Sequence, residues 1–159
     1  MRALHSADDS GITITLADEN ATLTCARRLA TMLVPGLVVY LFGDLGAGKT
    51  TLVRGILQAM GYSGRVKSPT FTLLEPYQIG DRHVRHFDLY RLNSPQEWES
   101  AGFNDEIDGN NIVLIEWPAQ ALEQLPPADV EIHLEILNAG RNMTLRAVSP
   151  KGTGCLKQL

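Results

Sequence analysis

The chain has 159 residues, 44% of them hydrophobic and 20% charged, with a formal net charge of −4, a balance that fits one globular domain with a real core. No apolar run is long enough to cross a bilayer, no leader segment is visible, and Cys25 and Cys155 show neither C-x-x-C nor metal-ligand spacing, so a cytoplasmic chain with reduced thiols and no membrane partner is expected. Residues 92–140 hold ten Asp and Glu and no Lys or Arg, which excludes a phosphate-gripping surface there and makes any role with nucleic acid an indirect one.

Ile12-Thr13-Ile14-Thr15-Leu16 alternates as a half-buried strand, and Asp18 is placed to cap a helix running to about Leu33, with Leu23, Ala26, Ala30 and Leu33 as its apolar stripe. Pro35-Gly36 ends that helix. The run Leu37-Val38-Val39-Tyr40-Leu41-Phe42 predicts a buried strand, and Gly43-Asp44-Leu45-Gly46-Ala47-Gly48-Lys49-Thr50 follows it, matching G-x-x-x-x-G-K-[ST] in full. Helical spacing resumes from Thr51 to Leu57. Strand, glycine-rich loop and helix N-terminus in that order make a phosphate cradle, because the glycines turn backbone N–H groups inward where the helix dipole adds to them. Lys49 would then reach the β- and γ-phosphates of a nucleotide, Thr50 would hold one position on an octahedral Mg²⁺, and Thr51 would add a hydroxyl at the α-phosphate.

Beyond a break at Gly61 to Gly64, a Ser68-Pro69-Thr70 turn leads into Phe71-Thr72-Leu73-Leu74. Thr70 is the candidate for a switch threonine, one that closes onto the metal while γ-phosphate is present. Gly80-Asp81-Arg82 reads as a hairpin turn into Val84 to Tyr90, where a period of two places His86, Asp88 and Tyr90 on one face and Phe87 and Leu89 on the other. The same period separates His83 from His86, so they are not read as a zinc pair. Ser94-Pro95-Gln96-Glu97 starts a short helix through Ala101. The strand Ile112-Val113-Leu114-Ile115 ends in Glu116, at the carboxyl end where ligand chemistry collects in open α/β sheets. Val130 to Leu137 and Met143 to Val148 pair as a hairpin around Gly140, and residues 151–159 read as a loose tail. The pattern predicts one three-layer α/β/α domain over residues 1–159, with a mixed, mostly parallel sheet and a C-terminal antiparallel hairpin.

Glu116 and Asp88 are the two carboxylates able to serve a hydrolytic site, as metal ligand, as partner of a metal-bound water, or as the base that orients the attacking water. Either residue fits any of these roles. A small-molecule kinase is the main alternative, but it needs lid arginines, and the stretch between Trp117 and Arg141 has no Arg or Lys. No N-K-x-D guanine-reading sequence is present, so adenine is the expected base.

The ordered set Gly43 to Thr51, Ser68-Pro69-Thr70-Phe71-Thr72-Leu73, His86-Phe87-Asp88-Leu89-Tyr90-Arg91-Leu92 and Ile115-Glu116-Trp117-Pro118 resembles the TsaE (YjeE) family of small bacterial P-loop ATPases over about Asp18 to Arg141. The resemblance implies ATP and Mg²⁺ as cofactors and a part in threonylcarbamoyl modification of the tRNA adenosine next to the anticodon. It also implies work on the TsaB and TsaD proteins, with TsaC in the same pathway; a monomer is expected when the chain is free. Carried over by the same resemblance, Thr50 and Glu116 are the metal-associated pair, Asp88 is a supporting catalytic acid, and Glu19 and Gly140 lie near the base and ribose; Lys49 and Thr70 join the catalytic candidates from the phosphate loop and the turn. The chain departs from the common phosphate-loop pattern in using a glutamate, Glu116, where an aspartate usually ends the strand.

Overall fold

The computed structural model describes residues 2–5, as backbone only, 11–69 and 71–159. Eight strands, β1 (Arg2–His5), β2 (Ile12–Leu16), β3 (Val38–Phe42), β4 (Leu74–Ile79), β5 (Arg82–Asp88), β6 (Ile112–Glu116), β7 (Val130–Ile136) and β8 (Arg141–Ala147), form one sheet in the order β1-β2-β8-β7-β3-β6-β5-β4. The mixed sheet and the β7-β8 hairpin are as the sequence predicts. Parallel pairing is narrower than the expected majority: it joins β7-β3, β3-β6 and β6-β5, three of the seven pairs, and the other four are antiparallel.

Composition explains where each kind of pairing occurs. Strand β6 is buried at every position, and β3 at all but Phe42, as parallel strands covered on both faces must be. Strands β2, β7 and β8 instead alternate, with Ile14, Leu16, Ile132, Leu134, Met143 and Leu145 pointing into the core. The first face carries α1 (Glu19–Met32), α2 (Lys49–Met60) and a C-terminal helix. The second face is covered only over the central strands, where α3 (Gln96–Ser100) and a 3-10 turn at Phe103–Glu106 bring Trp98 and Phe103 onto Phe87. The three-layer arrangement thus holds at the parallel centre.

Local signals place the helices. The Asp18 carboxylate accepts from Ala21 N at 2.8 Å, the cap read from the sequence. The buried face of α1 is Thr22, Cys25, Ala26, Leu29, Ala30 and Met32, so the predicted stripe is rotated and Leu23 lies at its margin. Helices α1 and α2 approach closely at Gly55, where an added Cβ would stand 2.8 Å from Ala26 Cβ.

The end of the chain corrects the expected loose tail. Pro150–Leu156 forms α4, with Pro150 in its first turn and Ser149 as its cap: Ser149 Oγ accepts from Gly152 N at 3.0 Å and donates to Asp129 Oδ1 at 2.7 Å. Asp129 Oδ2 also accepts from Val38 N at 2.9 Å, so one carboxylate ties α4 to the strand that enters the phosphate loop. At Gly152 a Cβ would fall 1.8 Å from the carbonyl oxygen of Asp129, which backbone cannot yield. Gly152→Ala should therefore undock α4 at a cost of about 1–3 kcal/mol, read as a lower melting temperature together with faster amide exchange over 150–156; unchanged stability would refute this packing.

Candidate functional site

The loop from Gly43 to Gly48 leaves the carboxyl end of β3 and feeds directly into α2, whose cap Gly48 has φ 105°. Gly46 has φ 81°, and a Cβ on either glycine would meet nothing within 4 Å. Both glycines are therefore required by the left-handed backbone, and the space in front of them is open, as a cradle for a ligand must be. The loop is braced from behind. Arg141 donates to the carbonyls of Gly46 at 3.1 Å and Ala47 at 3.2 Å, and Ala47 N donates to Asp44 O at 3.0 Å. Leu45 stands exposed at the tip.

Lys49 Nζ donates to the carbonyls of Gly43 and Asp44 and sits 4.3 Å above the Trp117 ring. Burial lowers the Lys49 pKa, against the raising effects of Glu116, Asp88 and Asp44. Next to it, Thr50 Oγ1 lies 3.2 Å from both Glu116 carboxylate oxygens. Glu116 is 2% exposed, and its Oε2 accepts from His86 Nε2 at 2.6 Å.

Register explains the meeting. Parallel β5 and β6 set His86 opposite Leu114 and Asp88 opposite Glu116, while β3 sets Leu41 opposite Glu116 two residues before the loop. Along β6, Ile112 and Leu114 point toward α1 and α2 and Val113 and Ile115 away, so the period of two turns Glu116 to the α2 side. His86 and Asp88 share that side, as the sequence period predicts. Asp88 Oδ1 accepts from Tyr90 N at 3.1 Å. Its carboxyl pKa is raised above the ordinary carboxylate value, first by burial and then by the Glu116 charge, against smaller lowering effects of the Tyr90 amide, His86 and Lys49. After Glu116 the backbone turns sharply, and Trp117 takes φ 57°, a left-handed conformation costly for a bulky residue. That turn brings its ring beside Tyr90 and beneath Lys49.

Two adjoining clefts flank the loop. The larger, about 530 Å³, brings together Gly46, Gly48, Lys49, Thr50, Thr51, Asp88 and Glu116, with Ser68, Tyr90, Arg91 and Trp117 at its walls. The smaller, about 240 Å³, shares Gly46, Gly48 and Thr51 and adds Glu19, Gly140 and Arg141. The structure thus gathers Glu19 and Gly140 at one end of the loop and the two carboxylates at the other. Glu19 lies 3.7 Å from Arg54, and Gly140 packs so tightly that a Cβ would stand 2.3 Å from Leu16 O. Thr70 lies outside the described residues. Nearby in sequence, Leu73 at φ 65° donates to Pro69 O at 3.1 Å and accepts from Asp88 N at 3.0 Å, which links Pro69 to the Asp88 strand. Sequence reasoning missed His86 and Arg141 as site residues. Their partners lie on other strands or loops, and residue spacing alone carries no such signal.

Among the described residues no group of three His, Cys, Asp or Glu side chains could hold a metal by itself. Thr50, Glu116 and Asp88 offer only hard oxygen donors beside the phosphate cradle, a set that fits Mg²⁺ completed by phosphate oxygens and water.

The family model described as threonylcarbamoyl adenosine biosynthesis protein TsaE matches residues 16–143. The tRNA threonylcarbamoyladenosine biosynthesis protein TsaE of Haemophilus influenzae is 42% identical over 142 residues, covering 86% of this chain and 90% of its own. The Bacillus subtilis protein of the same name is 37% identical over 130 residues, 80% of each chain. Among solved structures, a crystal structure of Bacillus subtilis YdiB superimposes with a TM-score of 0.78 at 28% identity, covering 92% of this chain and 91% of that one. No helix of the described residues is long and apolar enough to cross a membrane.

The crowding of Asp88 and Glu116 has a stability consequence. Because the folded-state pKa of Asp88 is raised, its charge destabilises the nucleotide-free fold at neutral pH, and the penalty is relieved as pH falls through the raised value toward the ordinary carboxylate range. Asp88→Asn should therefore melt no lower than wild type at pH 7.5, with its advantage vanishing below the ordinary carboxylate pKa. A thermal-unfolding series against pH checks this; a variant less stable at neutral pH would contradict it.

Proposed function

The chain belongs to the TsaE family of tRNA threonylcarbamoyladenosine biosynthesis proteins, and from that premise we propose that it is a Mg²⁺-dependent ATPase of the pathway, its ATP cycle acting on a complex of the TsaB and TsaD proteins. The carrying observation is the junction of Thr50 and Glu116, a phosphate-loop hydroxyl 3.2 Å from both oxygens of a buried strand-end carboxylate. A glycine-rich turn that bound nothing would have no use for a carboxylate buried against it.

When bound with ATP, Mg²⁺ neutralises phosphate charge and fixes coordinated waters. The chain's own residues then divide the work. Backbone amides from Gly46 to Thr50 hold phosphate oxygens at the start of α2, with Asp44 and Leu45 shaping the loop and Thr51 adding its hydroxyl. Lys49 exchanges the carbonyls of Gly43 and Asp44 for phosphate oxygens, and the Trp117 ring beneath it keeps water from that side. Thr50 and Glu116 would hold the metal, Asp88 would support them as the acid that orients water, and Thr70, outside the described residues, is assigned the part of the switch threonine. Glu19 and Gly140 take the base and ribose end, a reading supported by their place in the smaller cleft. The acid-rich stretch 92–140 favours delivery of the cycle to protein partners, with tRNA contacted indirectly.

Phosphate release from ATP without any added acceptor separates this reading from a kinase, which turns over only with its second substrate. In a reconstituted mixture with TsaB, TsaC, TsaD and tRNA, Lys49→Ala and Glu116→Ala should each lower ATP-dependent multiple-turnover modification by about a hundredfold or more. Full activity of either variant would refute its assigned role.

A further inference from the structure

The proposed mechanism leaves His86 unused. Its ring is fully buried, its Nε2 lies 2.6 Å from Glu116 Oε2, and its Nδ1 is buried without a hydrogen-bond partner among the described residues. An apolar side chain would fill this volume without burying an unpaired nitrogen, so packing does not account for an imidazole here. The contact to Glu116 does. Thr50 shares a single hydroxyl proton between two oxygens at 3.2 Å, whereas His86 makes the short contact, so the imidazole sets the orientation of the carboxylate.

We infer that His86 is a positioning residue of the metal site: its Nε2–H holds Glu116 Oε2 from behind, so that the carboxylate stays turned to the Thr50 hydroxyl and to the cleft where Mg²⁺ and its waters would sit. The inference rests on the reading of this cleft as a Mg²⁺·ATP site. Partners that stand behind a metal-associated carboxylate typically change metal affinity by about 10–100-fold when removed. The strand supplies the arm: two residues before Asp88, on the same face and one strand over from Glu116, is a place from which a histidine reaches the carboxylate without entering the cleft.

The test measures ATP affinity by calorimetry with and without Mg²⁺, so that the Mg²⁺-linked gain is a ratio within each protein. His86→Phe should lose about tenfold or more of the wild-type gain. His86→Gln, whose amide nitrogen reaches near the Nε2 position, should keep most of it, and His86→Asn, whose amide stops near Nδ1, should behave as the Phe variant does. Rescue by Gln alone distinguishes positioning from bulk packing. If His86→Phe does not fold, the contrast between Gln and Asn decides. A full gain in the Phe or Asn variant, or an equal loss in all three, overturns the inference while leaving the ATP site standing. Wild-type protein that binds no ATP overturns the reading of the site, and the inference with it.

Discussion

A carboxylate buried to 2% exposure at the end of an apolar strand is the constraint on which the rest of this site depends. Removing one partner of a buried charge costs about 3–5 kcal/mol, so Glu116 is kept only where donors reach it. Two do: His86 Nε2 from β5 and Thr50 Oγ1 from the first turn of α2. Meeting that requirement fixes three elements at once. Strand β5 must pair with β6 in the observed register, β3 must deliver the loop at the same level, and the loop must close tightly enough to start α2 beneath the carboxylate.

The sheet divides this labour unevenly. Its parallel centre, covered on both faces, carries Glu116, Asp88 and the phosphate loop. The antiparallel wing carries neither of these acids, yet its hairpin returns Arg141 to the loop carbonyls and Gly140 to the smaller cleft. Asp129 couples the two parts, since one side chain bonds both the start of β3 and the cap of α4. The C-terminal helix is thereby connected to the strand that positions the nucleotide loop.

What was legible in the sequence was local. Six apolar residues, a complete glycine-rich loop and resumed helical spacing specify the strand, turn and helix from Leu37 to Leu57, because each feature acts through neighbours in the chain. The Asp18 cap and the turns at Gly80 and Gly140 were legible for the same reason. Helix α4 reads in the sequence as a loose tail because Gly152 and Gly154 lower helix propensity, and it is docking to Asp129 that holds it. Register was not legible. That His86 meets Glu116, and that Arg141 braces a loop more than ninety residues away, follow from strand pairing across the sheet. The family resemblance placed Asp88 and Glu116 together; the geometry adds the histidine behind them.

The account's central claim is that Thr50 and Glu116 act as one metal-facing unit, and a double-mutant cycle on Mg²⁺-linked ATP affinity tests it most directly. Thr50→Val removes the hydroxyl and Glu116→Gln the carboxylate charge, each while keeping the side chain's volume. The account predicts that the double variant loses little more of the Mg²⁺-dependent gain than either single variant, a coupling of at least about 1 kcal/mol. Losses that simply add, to within about 0.3 kcal/mol, would show two independent side chains and contradict it.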